Sequence, residues 1–219
     1  MLYLDHHAAS PPCQAARQAM ARAEEIAWAN PSSIHQAGRQ ARQWMETARE
    51  QFAHAIGAQG SEVIFTSGGT EACNLGLRGI LKTIPQHVIT TAVEHPAVAN
   101  VVRGWEAEGS RVTRLKVQGH RVPGAEDLNE ALRVPTDVVA IQWVNHETGM
   151  VFPVGTYAEV CKEHNVPFFV DATQALGKLA VNVASLGATA LSFASHKMGG
   201  PAGVGALWLK PEIDLEPVL

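Results

Sequence analysis

What most constrains this chain is a rhythm. From residue 63 onward, short runs of strand-forming apolar residues alternate with segments of helical length. Strand-like runs fall at 63–66, 87–90, 112–115, 138–141, 167–170, 190–193 and 205–209. Helix-length segments at 70–82, 96–108, 126–132 and 157–164 separate most of them. A strand, a covering helix and a strand in the same direction form the unit of a parallel sheet buried on both faces. The expected fold is therefore α/β: a mostly parallel, seven-stranded mixed sheet sandwiched by helices. The last two strands break the rhythm. Only the turn around 199–203 joins them, whereas a parallel crossover needs about a dozen residues. The final strand is thus expected to run antiparallel to its predecessor or to lie away from it.

Before residue 63 the period is helical. Ala37, Ala41, Trp44, Ala48, Phe52 and Ile56 form one stripe, with Ser33-Ile34-His35-Gln36 read as its capping box and Gly57 as its stop. An earlier helix is expected over 13–27, after Pro11-Pro12. No linker, repeat or low-complexity tract divides the chain. The expected organisation is an N-terminal segment, 1–15, and one large domain, 16–219.

Composition narrows the function classes. Hydrophobic residues make up 46% and charged residues 17%, enough apolar material for a substantial core. The net charge is -4 and there is no basic run, so nucleic acid and anionic membrane are not expected partners. Cys13, Cys73 and Cys161 lack a CxxC pair and metal-ligand spacing. They read as free thiols of a reducing compartment. No apolar stretch is long enough to span a bilayer. The expectation is a soluble cytoplasmic protein.

Ligands of open parallel sheets bind beyond the carboxyl ends of the strands, and several polar residues fall there. Thr66-Ser67-Gly68-Gly69-Thr70-Glu71 follows the first strand and opens a helix, whose free N–H groups and positive end favour an anion. Taken alone it is equally an ordinary βα turn with a threonine cap. Glu94-His95-Pro96 places His95 at a helix start, able to stack on a ring or move a proton; a lone histidine there is more often structural. Asp171 ends the run 167–170 and needs a partner, either its own turn or a protonated pyridine nitrogen. Gln174 lies one turn further on, and Asn145 ends the run 141–144. Lys197 ends the last of these segments and enters Gly199-Gly200-Pro201, with His196 beside it. Together these groups suit pyridoxal phosphate held as a Schiff base on Lys197.

The chain also resembles a known family. Tyr3-Leu4-Asp5-His6-His7-Ala8, Asn30-Pro31-Ser32-Ser33-Ile34-His35, the Gly68-Gly69-Thr70-Glu71 turn, Glu94-His95, Val144-Asn145-His146-Glu147-Thr148-Gly149, Val170-Asp171-Ala172-Thr173-Gln174, 192–197 and 200–205 are similar, in order, to cysteine desulfurases of the NifS/IscS type. These belong to the class V aminotransferase group of fold-type I pyridoxal-phosphate enzymes. The resemblance implies the fold of the large domain and a set of roles. Lys197 would be the Schiff-base lysine and proton shuttle. Gly69, Thr70 and His196 would bind phosphate, and His95 would stack on the ring and assist proton transfer. Asp171 would pair with the ring nitrogen, Gln174 would contact the ring hydroxyl, and Asn145 would lie near ring and substrate. The implied reaction turns L-cysteine into L-alanine plus an enzyme-bound persulfide, for iron-sulfur cluster assembly or other sulfur transfer. A homodimer and sulfur-acceptor or scaffold proteins are implied as partners.

Departures matter. Ala194 stands where the family has a phosphate-binding serine, with Ser195 as its possible substitute, and His146 replaces a second asparagine. Family members run on past the point matching Leu219, into a small domain that carries the nucleophilic cysteine. The three cysteines here read as packing thiols, so the chain is expected to be a fragment, a cleavage product or one piece of a split enzyme, with that nucleophile coming from the missing region or from a companion chain. The chain alone is expected to bind the cofactor weakly and not to turn over cysteine. Two other readings stay open: another class V enzyme, such as a selenocysteine lyase or an aminotransferase, and a non-catalytic remnant that binds a partner.

Overall fold

A computed structural model of the chain describes residues 2–215. Its strands are β1 (Val63–Thr66), β2 (His87–Thr91), β3 (Arg111–Leu115), β4 (Val138–Gln142), β5 (Phe168–Asp171), β6 (Ala190–Ala194) and β7 (Gly205–Leu209). They form one seven-stranded sheet in the order β1-β7-β6-β5-β4-β2-β3. The order of β2 to β6 is that of parallel neighbours, as the alternation implies. β7 pairs antiparallel with both β6 and β1. The tight turn after β6 leaves no room for a crossover, so the chain doubles back.

The helices are α1 (Gln14–Ile26), α2 (Gln36–Ala55), α3 (Gly69–Ile80), α4 (Pro96–Ala107), α5 (Ala125–Ala131), α6 (Val154–Glu163) and the short α7 (Val183–Leu186). Two local expectations need correction. α2 is capped by His35, whose ring accepts the Gly38 N–H at 3.2 Å, and not by a Ser33 box. Ser33 is engaged in the preceding turn, its N–H bound to Asn30 O at 3.0 Å. α6 starts three residues before the expected 157, directly after Pro153. The predicted stop of α2 holds: Gly57 has φ +72°, the left-handed region that glycine enters without strain.

Both sheet faces are covered. On one, Ile89, Val139, Ile141 and Val170 pack with Phe152, Tyr157 and Phe168. On the other, Val88, Val138, Ala140 and Phe169 pack with Leu77 of α3 and Val98 and Val101 of α4. β2, β4, β5, β6 and β7 are buried along their whole length, whereas β3, at the edge, is buried only at Leu115. Two-sided burial explains why the central strands read as unbroken apolar runs. It also drives polar residues to the strand ends, where the site lies.

Candidate active site

The carboxyl ends of β4, β5 and β6 and the start of α3 enclose a cavity of about 430 Å³. Gly69, Thr70, His95, Asp171, Gln174, His196 and Lys197 all line it. Seven separately read positions thus meet at one place. Asn145 does not line it.

The first wall is the N-terminus of α3. A helix leaves its first N–H groups without helical partners. Here Ala72 N–H is the first to turn back, onto Gly68 O at 3.0 Å, so those of Gly69, Thr70 and Glu71 stay free of the helix ladder. The Glu71 carboxylate does not block them. It accepts from Ser67 N at 2.6 Å and Ser67 Oγ at 2.5 Å, and these bonds pull its pKa below the usual carboxylate range. The loop is seated on β7. A Cβ at Gly205 would fall 2.4 Å from the Gly68 carbonyl carbon, so this approach requires glycine.

The second wall is the end of β5. Asp171 is buried, and its Oδ1 accepts from Thr173 N–H at 3.0 Å and Ser192 Oγ–H at 3.1 Å. Among the described residues no hydrogen bond reaches Oδ2.

Lys197 lies on the short helical turn after β6. Its Nζ donates to His7 O at 2.7 Å and Ala8 O at 2.9 Å. Burial pushes its pKa below the usual lysine value, against the opposing charges of Asp171 and Asp5. Two backbone carbonyls thus hold the amine. The segment before α1 therefore lies at the cavity, fastened also by Ser10 N to His196 O and Cys13 N to Gly199 O, both 2.8 Å.

Gln174 donates from Nε2 to His7 O at 2.8 Å and accepts at Oε1 from Lys178 Nζ at 2.7 Å. His95 is the cap of α4, its Nδ1 accepting the Ala97 N–H at 3.1 Å. An imidazole that accepts at Nδ1 carries its proton on Nε2. Burial lowers the His95 pKa, with the charges of His146 and Lys197 adding to this and Asp171 opposing it. His95 is thus a neutral ring with one N–H to offer. His146 packs edge-on against it, centroids 4.9 Å apart, and its buried Nδ1 has no hydrogen-bond partner among the described residues. His196 is also held low, by burial and then by Lys197.

Ser195 does not take the place of the serine missing at Ala194. Its side chain borders a small apolar void with Phe52, Phe193 and Met198, while Ala194 lines the cavity. The Asn145 side chain is turned into its own loop. Its Oδ1 accepts from Glu147 N, Thr148 N and Thr148 Oγ, and its Nδ2 donates to Val93 O at 3.0 Å.

Sequence reading missed Cys73, Gln142, His146, Thr173, Ser192 and Glu94. Cys73 had a signal: it stands three and four residues after Thr70 and Gly69, on their helix face. Glu94 is buried behind the wall, accepting from Thr91 Oγ at 2.5 Å and Gln142 N at 3.0 Å, and burial raises its pKa to about 8.

A family model for class V aminotransferases matches residues 2–218. The chain belongs to the class V aminotransferase family. It is 40% identical over 221 residues to a putative cysteine desulfurase IscS 1 of Bacillus subtilis and 42% identical over 229 residues to an IscS-like cysteine desulfurase of Mycobacterium tuberculosis. In both cases the match covers 100% of this chain and 58% of the relative. Among solved structures it resembles one described as SspA in complex with cysteine, with TM-score 0.95 and 32% identity, covering 100% of this chain and 65% of that one. A NifS-like protein gives TM-score 0.95 and 30% identity, over 100% and 61%. The chain therefore spans a little over half the length of the curated relatives it matches.

Class V aminotransferases use pyridoxal phosphate, and the residues present fit that group. An anion-favouring helix end, a lysine amine of lowered pKa and a carboxylate with one uncommitted oxygen border a single cavity. These complement a phosphate, an aldehyde and a pyridinium respectively.

Proposed function

We propose that this chain is the cofactor-binding part of a pyridoxal-phosphate-dependent cysteine desulfurase. One observation carries the reading: Asp171, Lys197 and the N-terminus of α3, far apart in sequence, border the same cavity at the strand ends. Desulfurase homology across the full chain supports the substrate, L-cysteine.

The cofactor, when bound, supplies an aldehyde for amine capture and a ring that accepts electrons from the substrate's Cα. The protein supplies the rest. The free N–H groups of Gly69 and Thr70, the Thr70 hydroxyl and the His196 ring would hold the phosphate. Asp171 Oδ2 would keep the ring nitrogen protonated, and Gln174 would meet the ring hydroxyl. Lys197 serves as amine and proton carrier, and its lowered pKa increases the fraction able to act as a nucleophile or base. His95, with a proton on Nε2 only, stacks and donates. Asn145 fixes the loop that carries His146 into the cavity.

The net reaction joins L-cysteine and a protein thiol to give L-alanine and a protein persulfide. The described thiols do not serve as that acceptor. Cys161 is buried with its pKa raised to about 12, Cys13 is exposed outside the cavity, and Cys73 is buried and protonated. The acceptor thiol comes from elsewhere in the working enzyme, which we take to be a homodimer that passes sulfur to acceptor or scaffold proteins.

The test is a titration of the chain with pyridoxal phosphate. Wild type is expected to develop a new absorbance band and, after borohydride reduction, to retain the cofactor covalently. Lys197→Ala should lose both. Retention in Lys197→Ala at the wild-type level would disprove the assignment.

A further inference from the structure

A chain of hydrogen bonds in the cavity wall ends on Asp171, and its first two members play no part in the chemistry above. The Cys73 thiol donates to Ser192 Oγ at 3.2 Å, and Ser192 donates to Asp171 Oδ1 at 3.1 Å. All three side chains are buried. Ser192 stands directly opposite Asp171 in the β5–β6 register, so the pairing of the two strands fixes this contact. The direction of donation is also fixed. The single Ser192 proton goes to Asp171 Oδ1, and the Ser192 oxygen is left to receive the thiol proton. Burial, then the negative charge of Asp171, keeps the Cys73 pKa well above the usual thiol range. Cys73 is thus a permanent S–H donor rather than a nucleophile.

Cys73 belongs to α3, one turn beyond Gly69 and Thr70. The helix that offers N–H groups to an anion therefore also reaches the carboxylate across the cavity, through Ser192.

We propose that Cys73 is a positioning residue: through Ser192 it locks Asp171 Oδ1, leaving Oδ2 for the cofactor ring nitrogen, so that α3 sets both ends of the cofactor site. The idea rests on the pyridoxal-phosphate reading above, but the hydrogen-bond chain can be tested without cofactor. The infrared S–H stretch of Cys73, identified by its loss in Cys73→Ala, is expected below that of exposed Cys13. It should move up in Ser192→Ala and shift in Asp171→Asn. A Cys73 band already at the free-thiol position in wild type, or unmoved by Ser192→Ala, overturns the proposal whatever the cofactor does.

The second measurement is the dissociation constant of pyridoxal phosphate, followed by absorbance. Cys73→Ala should raise it about threefold to tenfold, and Cys73→Ser, which keeps a donor, should hold it within about twofold of wild type. A fall in melting temperature in Cys73→Ala with no change in the dissociation constant would show a packing thiol and refute the positioning role. A wild-type chain with the shifted thiol band but no cofactor uptake would refute the cofactor reading and leave the hydrogen-bond chain standing.

Discussion

His87 and His95 both belong to the β2 region, one at the start of the strand and one just past its end, and they lead opposite lives. At the amino end, both His87 nitrogens lie 2.8 Å from a threonine hydroxyl, Nδ1 from Thr136 and Nε2 from Thr113. The Asp137 carboxylate beside it accepts from Gln86 N at 2.7 Å and His87 N at 2.9 Å. That end is closed: each buried polar group has its partner, which is what stability demands. At the carboxyl end, His95 uses one nitrogen as a helix cap and keeps the other proton to give. Among the described residues, nothing bonds Asp171 Oδ2 and His146 Nδ1 has no partner. Incomplete satisfaction costs stability and marks the place where a ligand completes the set. The strand end, not the residue type, separates a structural histidine from a chemical one.

Four experiments bear on this contrast. The largest effect is expected where the open end is built from bare backbone. Gly205→Ala should destabilise by ~3 kcal/mol in urea unfolding, because the main chain of Gly68 has little freedom to yield. An effect below about 0.5 kcal/mol would mean the two segments are not in contact. Next, His87→Ala should cost about 1–2 kcal/mol by removing a buried ring and its bonds to two half-buried threonine hydroxyls, with cofactor affinity unchanged. Loss of affinity with intact stability would invert the comparison.

Third comes pH. The Glu94 carboxyl has a folded pKa of about 8, above its usual value, so the folded state holds a proton the unfolded chain has released. Its contribution is complete below about pH 4.5 and is lost as pH rises toward about 8. His87 and His95, both held below their usual range, pull the other way near neutrality. The measurement is therefore the difference between wild type and Glu94→Gln. The variant should gain on wild type as pH rises from 5 to 8, and a constant difference would contradict a buried neutral Glu94. The smallest stability effect belongs to Lys197→Ala, within about 0.5 kcal/mol of wild type, since its amine serves the ligand more than the fold. A large loss would show that its bonds to His7 O and Ala8 O carry the N-terminal segment instead.

Much of this was legible before any coordinates. Each strand lies within one residue of its apolar run, because two-sided burial writes the same signal into every central strand. The strand-end residues Asp171, His95 and Lys197 were readable because polar groups bordering apolar runs are rare and need a reason. Ser192 was not readable. Inside Ala190–Ala194 it looks like one small residue of a buried strand, and only its register against Asp171 gives it a role. Cys73 reads as packing until Ser192 stands beside it. Asn145 shows the reverse: its position past an apolar run resembles that of a ligand, yet the turn that follows claims its amide.

The sequence by itself determined most of the elements, the short turn that bars a parallel crossover before β7 and the chemical types at the strand ends. These depend on periodicity and turn length, properties of residues a few positions apart. The tertiary structure alone decided that β1 sits beside β7 at the edge, that Ser192 meets Asp171, and that the N-terminal segment covers Lys197. Those contacts join residues more than a hundred positions apart in two of the three cases and come from burying both faces of one sheet, which no local pattern encodes.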